Sequence, residues 1–240
     1  MEVNTNESSK NDKESATYKQ DFSKVYLVGK RVFDIVISLL AIFFLSPVFL
    51  AICLLDRFSR TNMGPVFYQQ ERVGLYGKKF GMYKFRSMIV EADDVLKSDP
   101  VLYSKYVKNN FKLAPDDDPR ITKLGRVLRR TSIDEIPQFI NILKGDMSLI
   151  GPRPVVEAEL VEYDAPKLLS VKPGAMGLWQ ASGRSMIGYP ERAAIEMDYI
   201  DNASFRFDVK IFFRNVFNIF LKRALISGFE VESLYSTKFK

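Results

Sequence analysis

IVISLLAIFFLSPVFLAICLL, at positions 35–55, is a run of 21 uncharged and mostly apolar residues. As a straight helix it would rise about 30 Å, which is the thickness of the hydrocarbon core of a bilayer. Charged residues flank it closely, with Lys30 and Arg31 before it and Asp56 and Arg57 after it. On hydropathy alone, the run predicts a transmembrane anchor.

Two features of the run favour a helix that enters the membrane and returns. Ser46-Pro47 lies near its middle, where proline removes a helical hydrogen bond and clashes with the preceding turn, so a bend is expected. The basic residues are balanced, with Lys13, Lys19, Lys24, Lys30 and Arg31 before the run and Arg57, Arg60, Arg72, Lys78 and Lys79 after it. Because positive charge marks the cytoplasmic side, equal flanks give no preferred direction of crossing. A straight span and a re-entrant helix broken at Ser46-Pro47 are both compatible with these residues.

The composition excludes several catalytic mechanisms but does not identify the binding partner. The 240 residues are 47% hydrophobic and carry a formal charge of +6, which suits a phosphate ester, an acidic lipid or a nucleic acid. The chain has no histidine, which excludes Ser-His-Asp triads, Cys-His pairs and imidazole metal sites. Cys53 is the single cysteine, so no internal disulfide can form. Carboxylates must therefore serve as acid, base or nucleophile.

The rest of the chain alternates short strands, helices and turns. Residues 1–24 are polar and predict a disordered tail without signal-peptide features. Residues 66–86 predict a hairpin around a glycine-containing turn at 74–77, and a helix follows over about 88–97. Three aspartates at 116–118 favour a solvated turn over a cation site. We expect a mixed α/β (α+β) class that is mostly helical.

The segment 208–226 combines aliphatic and phenylalanine side chains with the basic residues Lys210, Arg214, Lys222 and Arg223. An apolar body with a basic face is typical of a helix that lies in a membrane interface. A helix that packs on the core and leaves its other face in water fits the same pattern.

The most informative segment for chemistry is RRTSIDEIPQ, residues 129–138. Ser132 and Glu135 have the spacing of a capping box, and Pro137 is favoured in a first helical turn, so a helix start is predicted here. Lys144-Gly145 is the predicted end of that helix.

Asp134 and Glu135 would then lie at a helix N-terminus beside Arg129 and Arg130, a place suited to phosphate. A carboxylate there stays ionised near neutral pH and can attack phosphorus or hold Mg²⁺. A purely structural helix cap is the alternative.

Two later loops carry further candidate residues. Gly151-Pro152-Arg153-Pro154 is a stiff turn with one arginine, whose planar guanidinium suits phosphate. Residues 172–184 include Trp179 and Gln180, which are able to stack on and hydrogen-bond a base. Viewed separately, each loop is better explained by tight-turn chemistry.

Together these strings resemble the monotopic phosphoglycosyl transferases, also called the bacterial sugar transferase family. The matching strings follow one order over about residues 30–215: KRVFD at 30–34, SP at 46–47, GPVF at 64–67, QERVG at 70–74, YKFRSM at 83–88, RITK at 120–123, TSIDEIPQ at 131–138, LKGDMSLIGPRP at 143–154, KPG at 172–174 and DVKI at 208–211. Several of these strings are long, so chance agreement does not explain them.

The resemblance implies a two-step transfer that initiates assembly of a surface glycan, such as an exopolysaccharide, a capsule, an O-antigen or a glycoprotein glycan. Asp134 would attack the β-phosphorus of a UDP-sugar, release UMP and hold the sugar phosphate as an aspartyl intermediate, which polyprenyl (undecaprenyl) phosphate then takes. Glu135 would assist through Mg²⁺ or proton handling. Mg²⁺ is thus the implied cofactor, with both acids as candidate ligands.

The resemblance also assigns binding residues. The implied substrate-binding positions are Lys84, Arg129, Arg153, Arg184 and Asp208. The sugar is not implied, because three residues depart from the usual pattern: Met176 stands for threonine, Ser182 for asparagine and Glu196 for aspartate.

The implied topology is a re-entrant helix broken at Ser46-Pro47, with both ends cytoplasmic, at the bacterial inner membrane. The implied organisation is a tail at 1–24, the re-entrant helix at 25–60, a cytosolic catalytic domain with interfacial helices at 61–226 and a tail at 227–240. The expected partners are the UDP-sugar, polyprenyl phosphate, membrane lipid and downstream glycosyltransferases, with no nucleic acid.

Two other functions compete with this interpretation. A non-catalytic membrane module that binds an acidic partner explains the charge and the apolar run, but not Asp134-Glu135 beside Arg129 and Arg153. A Mg²⁺-dependent nuclease or phosphatase would favour clustered carboxylates, and it gives the apolar run no role.

Overall fold

The computed structural model describes residues 22–58, 64–108, 113–114, 116–182 and 187–226. Residues 1–21 and 227–240, which make up most of the predicted tails, lie outside this range. The chain forms two compact units that alternate along the sequence. The first unit comprises residues 1–32, 73–78 and 148–240, and the second comprises residues 33–72 and 79–147. The domain boundaries expected at residues 24, 60 and 226 stay a prediction.

Most of the described chain is helical, as predicted. The helices are α1 (Lys24–Phe58), α2 (Ala92–Ser98), α3 (Pro100–Lys108), α4 (Lys123–Thr131), α5 (Gln138–Lys144), α6 (Ala165–Leu168), α7 (Leu178–Ala181), α8 (Glu191–Asp201) and α9 (Phe205–Ile226). The strands are β1 (Phe67–Val73), β2 (Lys79–Phe85), β3 (Ser148–Ile150) and β4 (Gly174–Met176), which form the two-stranded sheets β1-β2 and β3-β4.

Helix α1 contains the whole apolar run. Among the described residues, it is the one helix long and apolar enough to cross a membrane. Pro47 lies inside it, with helical backbone on both sides, and the re-entrant form stays a prediction. The hydroxyl of Ser46 donates to the carbonyl of Phe43 at 2.7 Å. That carbonyl is the acceptor that an N–H at position 47 would have used, so the serine replaces the bond that proline removes.

The second unit packs around Phe85, which ends β2 and is 1% exposed. Ile52 of α1 and Leu128 of α4 are buried with it. The ring of Phe85 also contacts those of Phe49 and Phe67, at centroid distances of 5.0 Å and 5.3 Å. The end of the predicted hairpin is thus fixed by apolar side chains from α1 and α4.

Asn141 ties α5 to β2 within the same unit. Its side chain is fully buried. The amide nitrogen donates to the carbonyl of Gly81 at 2.8 Å, and the amide oxygen accepts from the N–H of Tyr83 at 2.8 Å. One side chain therefore satisfies two backbone groups of the strand.

In the first unit, the short strands β3 and β4 run parallel, with Ser148 opposite Gly174. A side chain at Gly174 would collide with the backbone of Gly151, and the N–H of Gly174 donates to the carbonyl of Pro152 at 2.7 Å. The glycines of the two sequence strings GPRP and KPG therefore serve a close backbone approach, as the tight-turn interpretation expects.

A buried ion pair in the first unit joins the start of α1 to α9. The Nζ of Lys30 donates to Asp208 at 2.6 Å and to the carbonyl of Ile150 at 2.8 Å. The hydroxyls of Tyr199 and Tyr26 donate to the same carboxylate at 2.7 Å and 2.9 Å. Since Asp208 is 1% exposed, its charge is offset almost entirely by protein groups.

Several predicted elements shift by a few residues. The hairpin is confirmed, with a short 3₁₀ turn at Leu75–Gly77 between its strands. The following helix starts at Ala92 rather than at residue 88, because Met88 forms an isolated antiparallel bridge with Ile121. The helix predicted over 208–226 begins three residues earlier, at Phe205.

The described side chains of helix α9 fall into three groups: buried, exposed and apolar, and exposed and basic. Its buried residues are Asp208, Ile211 and Asn215. Its exposed apolar residues are Phe205, Phe213 and Phe217. Its exposed basic residues are Arg206, Lys210 and Arg214. One face packs inside the first unit, as the core-packing alternative expects, while the membrane-interface alternative stays a prediction.

We expect Asn141→Ala to destabilise the second unit by about 2–4 kcal/mol, because it leaves one partly buried N–H and one partly buried carbonyl of β2 without these partners. Thermal unfolding followed by circular dichroism measures the loss. Asn202→Ala serves as the control, since that side chain is exposed at the end of α8. Equal melting temperatures for the two variants would contradict this role of Asn141.

Candidate active site

The acidic pair lies on a 3₁₀ turn, Ile133–Glu135, between α4 and α5. The predicted capping box is wrong. Ser132 has φ of +56° and its side chain makes no capping bond, and it both ends α4 and directly precedes the 3₁₀ turn. The next helix begins only at Gln138, after Pro137. Its predicted end is confirmed, because Gly145 has φ of +87° and caps α5.

Asp134 is buried beside charges of both signs. It is 8% exposed. Burial and, to a smaller extent, the adjacent charge of Glu135 raise the pKa of its carboxyl to about 6, although Lys84 and Arg129 act to lower it. The sequence predicted a carboxylate ionised near neutral pH. The direction of the shift comes from burial, however, and not from a helix N-terminus.

Cations from two other elements face this pair. The Nζ of Lys84, on β2, lies 3.5 Å from Oε1 of Glu135, and both side chains are partly exposed. The Nε of Arg129, on α4, donates to the hydroxyl of Ser87 at 2.8 Å. Burial lowers the pKa of Arg129, and the charge of Asp134 opposes that shift. Lys84, Arg129, Asp134 and Glu135 therefore form one charged cluster in the second unit.

Arg130 does not join this cluster, which corrects the sequence expectation. Its guanidinium is exposed and pairs with Asp116 at 2.6 Å. The neighbouring aspartates differ from one another. Asp117 is exposed, as a solvated turn requires, but Asp118 is 2% exposed and binds Arg120 through two bonds of 2.8 Å.

Arg153 lies in the first unit, on the loop after β3. Its backbone N–H donates to Oε2 of Glu196 at 3.0 Å, and its guanidinium stands 5.8 Å from the ring centroid of Trp179. Burial raises the pKa of Glu196 to about 7, while the hydrogen bond from Arg153 and the charge of Arg192 lower it. The side chain of Glu196 is fully buried.

The base-stacking role expected for Trp179 and Gln180 is not supported, because both are only 8% exposed. The guanidinium of Arg192 lies 4.5 Å from the centroid of the indole ring, and the indole N–H donates to the carbonyl of Ile187 at 3.1 Å. The tryptophan is therefore part of the core of the first unit. Arg184 lies outside the described residues.

Mg²⁺ fits the donor set of the second unit. Asp134 and Glu135 supply adjacent carboxylates whose mutual repulsion a cation would relieve. The described residues contain no group of three or more acidic or thiol side chains that could hold a metal. Mg²⁺ needs no such group, since one or two carboxylates together with substrate phosphates usually bind it.

A family model described as "Bacterial sugar transferase" matches residues 25–222, which include all the residues of this cluster. The chain belongs to the bacterial sugar transferase family. Because this is a family of enzymes, the non-catalytic membrane module is excluded.

Proteins similar to this transferase include chains of about the same length and chains more than twice as long. The exopolysaccharide production protein ExoY of Sinorhizobium fredii is 43% identical over 82% of this chain and 87% of that protein. The undecaprenyl-phosphate galactose phosphotransferase of Salmonella typhimurium is 45% identical over 77% of this chain and 39% of that protein. The UDP-glucose:undecaprenyl-phosphate glucose-1-phosphate transferase of Escherichia coli is 36% identical over 86% of this chain and 43% of that protein. The transferase thus spans most of the first relative but less than half of the other two.

Sequence reasoning missed the residues that hold the charged groups in place. Ser87 binds Arg129 across 42 positions of sequence, and Arg192 covers Trp179. Lys30 was counted as a membrane-flanking charge, although it pairs with Asp208. Ser87 does lie within the YKFRSM string, but a short string indicates a residue type and not its partner.

Replacing Asp134 by asparagine should stabilise the second unit at neutral pH. The folded carboxyl has a pKa of about 6, against about 3.9 for an unfolded aspartate. The folded state therefore holds this proton more tightly, so the free energy of unfolding falls as pH rises from about 4 to about 6 and then levels off. We expect Asp134→Asn to gain up to about 3 kcal/mol at pH 7.5, where the charge is lost, and nothing below about pH 4.

Thermal unfolding of detergent-purified protein at pH 3.5 and pH 7.5 measures this gain. Asp117→Asn, which alters an exposed aspartate of the same unit, is the control and should change neither value. A gain of equal size at both pH values would show that the buried charge is not its cause.

Proposed function

We propose that the transferase moves a sugar-1-phosphate from a UDP-sugar to a polyprenyl phosphate and so initiates synthesis of a surface polysaccharide. The names of the Salmonella and Escherichia relatives specify undecaprenyl phosphate as the lipid, and the ExoY relative is named for exopolysaccharide production. The observation that carries the proposal is the buried Asp134 carboxylate, with a pKa of about 6, between two cations. Such a group is ionised at physiological pH and is more basic than an exposed aspartate.

In the first step, a carboxylate oxygen of Asp134 attacks the β-phosphorus of the UDP-sugar. An oxygen–phosphorus bond to Asp134 forms, and the bond from that phosphorus to UMP breaks, so UMP leaves with the bridging oxygen. Lys84 and Arg129, whose charges act on Asp134, would offset the charge that grows on the phosphoryl oxygens.

In the second step, a phosphate oxygen of the polyprenyl phosphate attacks the same phosphorus. The bond to Asp134 breaks and restores the carboxylate, and the product is a polyprenyl diphosphate sugar. The two displacements occur at the same phosphorus, so the enzyme needs one nucleophile. We assign this role to Asp134 because it is the more buried acid of the pair. Glu135 is 40% exposed in its side chain and is assigned to assist the reaction.

Asp134 and Glu135 would hold Mg²⁺, which when bound neutralises diphosphate charge. The remaining assignments follow from the family resemblance. Arg153 and Arg184 are proposed to bind substrate phosphate. The resemblance assigned Asp208 to substrate binding, but this residue is 1% exposed and its carboxylate already accepts bonds from Lys30, Tyr26 and Tyr199. We therefore propose instead that Asp208 keeps these neighbours in position.

We propose that α1 is re-entrant, with both ends cytoplasmic. Asp34 and Ser38 are buried before Pro47, and Ile52 and Asp56 are buried after it. Residues 34 and 56 would lie about 33 Å apart along a straight helix, so a straight span would separate these two buried ends by the thickness of a bilayer core. Between the buried ends, the middle of α1 is exposed, including Phe43 and Phe44 at 71% each. Burial at both ends with an apolar, exposed middle suits a helix that dips into lipid and returns.

The catalytic proposal is tested with detergent-purified protein, Mg²⁺, a panel of UDP-sugars and polyprenyl phosphate. UMP release should exceed one equivalent per enzyme only when the lipid phosphate is present. Without that acceptor, intact-protein mass measurement should show one phosphosugar adduct, located at Asp134. Asp134→Asn should reduce turnover by a factor of about 10³ or more, since the nucleophile is removed.

Asp117→Asn removes a carboxylate of the same unit that is exposed, and it should keep full turnover. Full turnover by Asp134→Asn, or an adduct at another residue, would remove Asp134 from its role.

The topology is tested with single cysteines in a Cys53→Ser background. Ser9→Cys lies before α1, and Thr61→Cys lies after it. A membrane-impermeant maleimide should label both in inverted inner-membrane vesicles and neither in spheroplasts. Labelling of the two cysteines from opposite sides would establish a straight span.

A further inference from the structure

We infer that Ser87 is a positioning residue that aims Arg129 at an anionic phosphate next to Asp134, and that Gly125 permits this arrangement. The inference rests on the proposed function, because it assigns a task to Arg129 in binding the diphosphate. It adds two residues outside the acidic pair and its cations.

The serine occupies one edge of the guanidinium. The Nε of Arg129 donates to the hydroxyl of Ser87 at 2.8 Å, and Ser87 is 7% exposed. Within the described part of the chain, the two terminal nitrogens of Arg129 make no hydrogen bond. These nitrogens form the end of the guanidinium that binds two phosphate oxygens at once. A bond at Nε therefore fixes the direction in which that end points.

The backbone of Ser87 is itself held by the start of α4. The N–H of Thr122 donates to the carbonyl of Ser87 at 3.1 Å, and the Thr122 hydroxyl lies 3.4 Å from the same oxygen. That hydroxyl also accepts the N–H of Gly125 at 2.9 Å and so caps the helix. Helix α4 thus contacts Ser87 near its first turn and carries Arg129 in its last turn.

Gly125 is required by this contact. A Cβ at position 125 would overlap the carbonyl oxygen of Ser87 and lie 2.6 Å from the carbonyl carbon. Inside a helix, alanine is otherwise preferred over glycine. Helix propensity and the Ser87 contact therefore predict opposite effects for Gly125→Ala.

Nearby charges leave Arg129 available to a ligand. Asp118 is close enough to affect the pKa of Arg129, yet its carboxylate is engaged by two bonds from Arg120. The other facing acid is Asp134, whose pKa Arg129 lowers. Because Arg120 satisfies Asp118, Arg129 can direct its charge toward Asp134 and a phosphate beside it.

The first test is a double-mutant cycle in the affinity for UDP, measured by titration calorimetry with full-length protein in detergent and Mg²⁺. Ser87→Ala and Arg129→Ala should each weaken UDP binding about tenfold or more, and the double variant should bind no worse than Arg129→Ala alone. Ser87→Thr, which keeps the hydroxyl, should restore binding. Losses that multiply in the double variant, or wild-type affinity in Ser87→Ala, would overturn the inference.

Two controls separate positioning from misfolding. Gly125→Ala disturbs the same serine from α4 without removing its hydroxyl, and it should weaken UDP binding as Ser87→Ala does. Wild-type affinity in a folded Gly125→Ala variant counts against the inference. Ser98→Ala removes an exposed hydroxyl in the same unit and should leave the affinity unchanged.

The second test is the steady-state kinetics of the same variants. If Ser87 directs the Arg129 guanidinium at a substrate phosphate, Ser87→Ala should raise KM for the UDP-sugar about tenfold or more, and Ser87→Thr should restore it. An unchanged KM in Ser87→Ala would refute the positioning role. The UDP titration needs no turnover, so it stays decisive even if Asp134→Asn shows that the proposed chemistry is wrong.

Discussion

Burying the carboxylate of Asp134 costs free energy that nearby cations offset only in part, and the second unit is arranged around that constraint. Burial and Glu135 raise the pKa of Asp134, while Lys84 from β2 and Arg129 from α4 lower it. The balance leaves a carboxylate with a pKa of about 6. With the cations alone it would be a weaker base, and with burial alone it would be a stronger one. The packing of α4, β2 and the 3₁₀ turn therefore sets the pKa of this carboxyl.

Local patterns predicted the elements whose signals are local. The apolar run gave α1, the glycine-containing turn gave the β1-β2 hairpin, and the apolar and basic mixture gave α9 to within three residues. The predicted capping box was wrong because the same residues suit both the end of one helix and the start of the next. Ser132 takes a left-handed conformation that ends α4, and the spacing of Ser132 and Glu135 carries no information about that backbone angle. The acids were located correctly as a pair, whereas their setting on a 3₁₀ turn depends on how α4 and α5 pack against β2.

Partners far apart in sequence were beyond prediction. Lys30 and Asp208 are separated by 178 positions, and Ser87 and Arg129 by 42. Matching strings identify residue types that a family shares, so they supplied Arg129 and Asp208 as candidates but not what each one binds. Trp179 shows the opposite error. An aromatic residue in a loop string suggests a base-stacking surface, yet in the first unit its ring is covered by Arg192 and is only 8% exposed.

The serine before Pro47 gives the membrane segment a property that its hydropathy does not reveal. In hydrocarbon, a backbone carbonyl without a donor costs several kcal/mol, and lipid offers no water to replace it. Pro47 removes the donor that Phe43 would use, and the Ser46 hydroxyl supplies another at 2.7 Å. That bond depends on the local turn and not on the N–H ladder beyond the proline, so it persists if the helix bends at this point. The pair Ser46-Pro47 therefore weakens the helix at its exposed middle and keeps the carbonyl satisfied, as the re-entrant form that we propose would require.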